Sequence, residues 1–415
     1  MEEERKRKRE KAEQENETEK RKTTAAVWPD GAAGGGAATV VVNEGLPDVL
    51  GTVPEFDPDK EVAYTDLQLF TDNFSEEKRI GRTQFGILYR GKIPRGWRGN
   101  DEKDVTVKLW ETKSLLPSGD PYHVMLEYLL DRMKDEIRFM SLPFLKSHQI
   151  VGKVEGYCFD VNNLGVVYDV KPLDTIYRIM SDNDKFGWRK RVKVALGLAR
   201  LLKLCHGNTP QYIVRNLSAA HVIVDKDFNP ILVDFAMIRG GGIGDNRLPL
   251  SLDIPLASYG YFDDDIILCG HWIEKTDVYT FGVVLLELIM NYTSLGLKRA
   301  IKTKYKTKHN FTLAQFACGA YGKELGKPPD GEMTDKLVHA YLQRDPDYDS
   351  DDGSKLTMLA LRCVRPEAFL RPTMQEVIEW YNKCLDALNN VERLYQGKDA
   401  ADIIQSKVLQ LLNGK

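Results

Sequence analysis

The sequence has few cysteines, and none of them form a pair by spacing. Cys158, Cys205, Cys269, Cys318, Cys363 and Cys384 are scattered over 415 residues with no C-x-x-C. That argues against a zinc ribbon or a disulfide-stapled small domain and fits the reduced thiols of a cytosolic or nuclear protein. Long apolar runs are missing too. The longest, Phe281 to Met290, contains Glu287 and falls far short of the roughly 20 residues a membrane span needs. The first residues are charged, so no signal peptide is expected. Position 2 is Glu2 rather than glycine, which excludes N-myristoylation, so no intrinsic membrane anchor is expected. There is no excess of either charge: the net value is −3, and nothing global points to nucleic acid or an anionic membrane.

What is present is globular. Hydrophobic residues make up 42% and charged residues 29%, and the length suffices for a two-lobed domain plus a tail. Residues 1–22 are nearly all Glu, Lys, Arg and Gln. Such a segment buries too little apolar surface to offset its ordering entropy, so a solvated tail is expected. Arg5-Lys6-Arg7-Lys8-Arg9 matches a nuclear-import signal, although a solvated charge run is the commoner reading. Residues 31–38, G-A-A-G-G-G-A-A, read as a flexible linker. The tail is expected to span 1–61, with folded structure beginning near Val62.

Ala63 to Phe74 reads as a short helix with Thr65 as its cap. Ile80 to Gly91, I-G-R-T-Q-F-G-I-L-Y-R-G, has the apolar alternation of two strands joined by a tight loop. Val105-Thr106-Val107-Lys108 is a further strand. Glu136 follows in a segment whose Ile137, Met140 and Leu142 give a helical apolar face. Val154 to Asp169 reads as a hairpin with an Asn-Asn turn. Trp188 opens a helix to about His206, with Val192, Leu196, Ala199 and Leu202 to Leu204 as its apolar positions. Then comes Y-I-V-R-N-L-S-A-A-H-V-I-V-D-K-D-F-N-P-I-L-V-D-F-A-M-I-R, Tyr212 to Arg239.

In this order the segments resemble a eukaryotic protein kinase domain over about residues 64–390, and most closely the plant receptor-like cytoplasmic kinases. One such motif arises easily by chance, an ordered set hardly at all. The resemblance implies an α+β, bilobal fold: a β-rich small lobe over 62–170, a larger helical lobe over 171–392, and an amphipathic helix over 393–415. It also implies a nucleotide site for ATP with Mg²⁺. Gly81, Thr83, Gly86 and Leu88 would belong to the phosphate-covering loop and its strand. Lys108 would grip the phosphates and pair with Glu136. Tyr168 would be the gatekeeper, followed by Asp169 and Val170. Ile223 would lie beneath the base, and Asp234 would bind metal.

Several letters depart from that pattern. The family's H-R-D is Val214-Arg215-Asn216, and an amide has no usable basicity where the aspartate accepts a proton. The lysine of K-x-x-N is Ser218, and its metal-binding asparagine is His221. Imidazole is a poor ligand for Mg²⁺, which favours hard oxygen donors. Ala236 replaces the glycine of D-F-G. Thr83 replaces the middle glycine of the phosphate loop, and Thr106 adds a hydroxyl where the adenine ring would lie. Structural letters persist: Asp265 for the family's glutamate, Asp277 to hold the catalytic loop, and Arg371 to pair with Asp265. Residues 295–355 read as a charge-rich excursion on the lobe surface.

Three readings follow. The leading one is a pseudokinase: a module that scaffolds partner proteins and still holds nucleotide. The lesions resemble those of plant immune pseudokinases, which implies kinases or immune receptors as partners, in the cytoplasm or brought to the plasma membrane by them. The second is a weakly active serine/threonine kinase using Lys108 and Asp234. The third is a collapsed pocket that responds to partners alone.

Overall fold

The computed structural model describes residues 56–384, apart from 112–121, 147, 149, 161–162, 183, 245–259, 262–271, 294–311 and 322–334. The Asn-Asn turn, Asp265 with its pairing to Arg371, and the 393–415 helix therefore lie outside the described residues, wholly or in part.

The small lobe is built on one five-stranded antiparallel sheet. Its strands are β1 (Arg79–Arg82), β2 (Gly86–Ile93), β3 (Lys103–Trp110), β4 (Lys153–Asp160) and β5 (Asn163–Asp169), in the order β1-β2-β3-β5-β4. The two-residue period of a strand sorts β3 by face. Val105 and Val107 pack with Leu67 and Phe70 of helix α1 (Tyr64–Thr71). Thr106 and Lys108 thereby face the cleft. The cap of α1 differs from the sequence expectation. Thr65 lies inside the helix, the cap residue is Ala63, and the Asp66 carboxylate accepts from the Ala63 N–H at 3.1 Å. Asp66 thus satisfies the amide of the cap residue, while no side chain at the cap accepts from the first-turn amides.

Helix α2 (Tyr122–Met140) buries Leu126, Leu129, Met133, Ile137 and Met140 at three- and four-residue spacing. That stripe faces the sheet and carries Glu136 inward. Residues 56–61, expected to belong to the tail, instead pack along β4. Val62 N–H donates to Tyr157 O at 2.9 Å. The Phe56 ring stands edge-on to Phe159, with centroids 5.2 Å apart.

The large lobe is helical: α3 (Trp188–Gly207), α4 (Glu274–Met290), α5 (Leu313–Tyr321), α6 (Ser350–Cys363) and α7 (Met374–Cys384). Every residue of α4 from Thr276 to Met290 is buried, so it is the central helix of the lobe. Arg191 of α3, fully buried, donates to Leu288 O at 2.9 Å and Met180 O at 3.0 Å. It thereby satisfies a carbonyl at the C-terminal end of α4. The 295–355 excursion is only partly peripheral. Leu313, Ala314 and Ala317 of α5 and Gly353 and Ser354 of α6 are buried, because α6 packs directly on α4 near Gly282 and Cys363.

Below the cleft a small antiparallel sheet joins β6 (Asp174–Thr175), β7 (Val222–Val224) and β8 (Pro230–Leu232). The loop leading into β7 and the segment leaving β8 deliver Asn216, His221 and Asp234 to the same place. Among the described residues no helix is long and apolar enough to cross a membrane.

Candidate nucleotide and catalytic cleft

A fully buried charge cluster stands at the back of the cleft. Lys108 Nζ lies 2.8 Å from Glu136 Oε2 and 3.1 Å from Asp234 Oδ1, and all three side chains are 0% exposed. Such a cluster survives only when its remaining polar atoms are satisfied. Glu136 Oε2 also accepts from Phe235 N–H at 2.9 Å, and Glu136 Oε1 accepts from the Tyr168 hydroxyl. Burial pushes the Glu136 carboxyl up, and Lys108 opposes this only in part. Burial alone would raise Asp234 as well, but Lys108 and His221 more than reverse it and hold this carboxyl below its ordinary range. Asp234 is therefore an ionised partner of the lysine.

The catalytic loop is hung on Asp277. Its two carboxylate oxygens accept from Val214 N–H and Arg215 N–H, each at 2.7 Å. Val214 is buried. Asn216 leaves its Nδ2 without a partner. His221 is buried and fixed at both nitrogens. Nδ1 lies 2.6 Å from Asn216 O, so it carries the proton and donates. Nε2 then accepts from the Gln84 N–H at 3.1 Å. Burial holds this imidazole below its ordinary pKa despite the pull of Asp234. It is neutral, with its lone pair already engaged, and Asp234 Oδ2 lies 3.8 Å from Nε2.

Gln84 sits at the tip of the loop between β1 and β2. Thr83 is buried there, and its N–H donates to Gly86 O at 2.8 Å. A Cβ on Gly86 would stand 2.3 Å from Leu109 O, so the close approach of loop to strand requires glycine. Phe85 turns inward against Trp110, with ring centroids 5.5 Å apart. Lys108 Nζ lies 4.4 Å from the centre of the same indole. On the same face of β3, Thr106 Oγ1 donates to Val170 O at 3.0 Å.

Most of the sequence-assigned residues thus converge. Gly81, Thr83, Gly86 and Leu88 belong to the β1–β2 unit, with Leu88 buried opposite Lys108. Ile223 is buried in β7. The Asp169 side chain does not join them: at the end of β5 it pairs with Lys103 at 3.0 Å. Arg371 is buried at the far side of the large lobe, donating to Arg365 O, Pro366 O and Lys275 O. Sequence reasoning missed Gln84, because it acts through its main chain, and Trp110, which looks like ordinary strand core.

Against the ATP and Mg²⁺ that the resemblance implies, these residues fit unevenly. Asp234 Oδ2, Asn216 Nδ2, Ser218 Oγ and the side-chain amide of Gln84 are buried without hydrogen-bond partners, a polar set that suits phosphate oxygens and one cation on Asp234. A second cation does not fit. His221 offers nitrogen rather than oxygen, its lone pair is occupied, and no cluster of three metal-ligating side chains exists among the described residues. The loop amide that would face a phosphate is bonded to His221 instead.

The chain is similar to known proteins over most of its length. Residues 74–316 match the model of the family described as protein tyrosine and serine/threonine kinase. The chain is similar to the probable serine/threonine-protein kinase PBL9 of Arabidopsis thaliana, 26% identical over 84% of this chain and 78% of that protein. It is similar to the probable serine/threonine-protein kinase PBL2 of the same plant, 28% identical over 77% and 68%. The cysteine-rich receptor-like protein kinase 36 is 27% identical over 76% of this chain and 42% of its own length. A sheet-built small lobe, a helical large lobe and a matched span covering more than half the sequence lead to one conclusion: the chain belongs to the protein tyrosine and serine/threonine kinase family.

Proposed function

We propose that this chain is a pseudokinase, a kinase-fold module that scaffolds partner proteins rather than transferring phosphate. The observation that carries the proposal is the state of the catalytic loop. Asn216 has no basicity to offer, and His221 stands neutral and doubly bonded on the position of a metal ligand. Base loss alone typically costs roughly 10²–10⁴ in rate. By analogy with the plant immune pseudokinases the sequence resembles, its partners are kinases or immune receptors. It acts in the cytoplasm, or at the plasma membrane through those partners. ATP remains a ligand through Lys108 and Asp234.

A second reading, a weakly active serine/threonine kinase, is favoured by the Lys108–Glu136–Asp234 cluster and by the similarity to probable serine/threonine-protein kinases. Phosphoryl transfer is mostly positioning and charge stabilisation, which such a cluster supplies in part.

Transfer of labelled γ-phosphate with Mg²⁺ and with Mn²⁺ decides between them. Wild type is compared with Lys108→Ala and with Asn216→Asp combined with His221→Asn. The pseudokinase reading expects a silent wild type and activity in the double variant. Wild-type transfer that disappears in Lys108→Ala overturns it.

A further inference from the structure

The loop between β1 and β2 is tied down at its tip by a side chain of the opposite lobe. Its root is fixed in the small lobe: Phe85 is buried against Trp110, and Phe85 O accepts from Glu111 N–H at 2.9 Å. Its tip crosses the cleft, where the Gln84 N–H donates to His221 Nε2. His221 is held ready for this, because its Nδ1–H donates to Asn216 O and fixes the tautomer with an acceptor facing the loop. An asparagine here would present a shorter, freely rotating amide, whereas the imidazole spans from the catalytic-loop backbone to the loop tip. The contact also closes the loop over Asp234 Oδ2, Asn216 Nδ2 and Ser218 Oγ, three buried polar atoms left without partners.

We propose that the Gln84–His221 hydrogen bond is an autoinhibitory latch, which holds the loop down on the catalytic loop so that nucleotide phosphates enter only when the bond opens. In family terms one residue does two things: it removes a metal ligand and it bolts the cover shut. The latch does not depend on the pseudokinase reading. It would throttle a slow enzyme and a scaffold alike, and it is tested without catalysis.

The test opens the bond from each end in the full chain. His221→Ala removes the acceptor. Gln84→Pro removes the donor and leaves the His221–Asn216 contact intact. Hydrogen exchange of the peptide over residues 82–87 is measured together with that of α4, whose unchanged protection reports an intact fold. Binding of a fluorescent ribose-labelled ATP is measured in metal-free buffer. Wild type is expected to show slow exchange in the loop and weak binding. Each folded variant is expected to exchange about three- to tenfold faster there, and to bind the probe tighter by a similar factor, the range a single hydrogen bond supports. Unchanged loop exchange, or unchanged or weaker probe binding in the folded variants, overturns the latch. If His221→Ala loses α4 protection, the Gln84→Pro result decides alone.

Discussion

Tyr168 shows how much one side chain holds at the back of the cleft. Its ring is fully buried, and its hydroxyl reaches Glu136 Oε1 and lies 3.2 Å from Val233 O. Burial and the neighbouring Glu136 push the phenol well above its ordinary pKa, so it keeps its proton and donates. Tyr168→Phe removes that donor and leaves a buried carboxylate oxygen unpaired. The expected cost is about 1–3 kcal/mol in chemical denaturation; an unchanged midpoint would show that Glu136 is satisfied by Lys108 and the Phe235 amide alone. The sequence made Tyr168 legible as a position but not as a donor, since its acceptor lies 32 residues away on another element. The Lys108–Glu136 pair was legible because each residue sits in a recognisable local pattern. Gln84 was not, because a backbone N–H belongs to almost every residue and carries no letter of its own.

Among the elements, α6 has an over-charged beginning. The Asp349 carboxylate caps it, accepting from Asp351 N–H at 2.8 Å and Asp352 N–H at 3.1 Å. Asp352, half-buried beside that cap, has its carboxyl pushed up to about 6 by burial first and by Asp349 next. The folded state then holds a proton that the unfolded chain, near 3.8, has already released. Stability from this group is fully present below the unfolded value and is lost as pH rises through about 6. Asp352→Asn is therefore expected to raise the melting temperature at pH 7.5 by about 1–3 °C and to change nothing near pH 4. An equal gain at both values would assign it to helix packing. The helices themselves were legible from apolar spacing: Trp188 to about His206 was expected and Trp188–Gly207 is observed. Burial of the start of α6 was not legible. Its first residues, S-D-D-G-S-K, look like surface, and only the packing on α4 decides which of them face inward.

At the scale of the whole molecule, the small lobe is completed by a segment that composition assigns elsewhere. Residues 56–61 contain Asp57, Asp59, Lys60 and Glu61 and read as part of a solvated tail. They form instead a strap along β4, the edge strand of the sheet. Glu61 bridges to Tyr157, Lys60 Nζ donates to Val154 O at 2.8 Å, and Arg138 of α2 stacks on Phe56 at 4.9 Å. The strap therefore ties the free edge of the sheet to the helix that carries Glu136. Deleting residues 1–61 is expected to lower the melting temperature by about 5 °C or more and to speed hydrogen exchange in β4. Deleting 1–55 leaves every one of these contacts in place and serves as the reference. Equal behaviour of the two truncations would make the strap ornamental. The two-lobed plan was legible from ordered motifs, while the strap depends on Phe56 finding two aromatic partners that lie 101 and 103 residues further along.

Asp277 grips the catalytic loop through the main-chain amides of Val214 and Arg215, not through their side chains. The hold on the loop is thereby independent of those two letters, provided the residue at 214 fits a buried site and the one at 215 tolerates a φ of 67°. A lineage carrying this arrangement can exchange the side chains of Val214 and Arg215 without touching the two bonds that hold their amides.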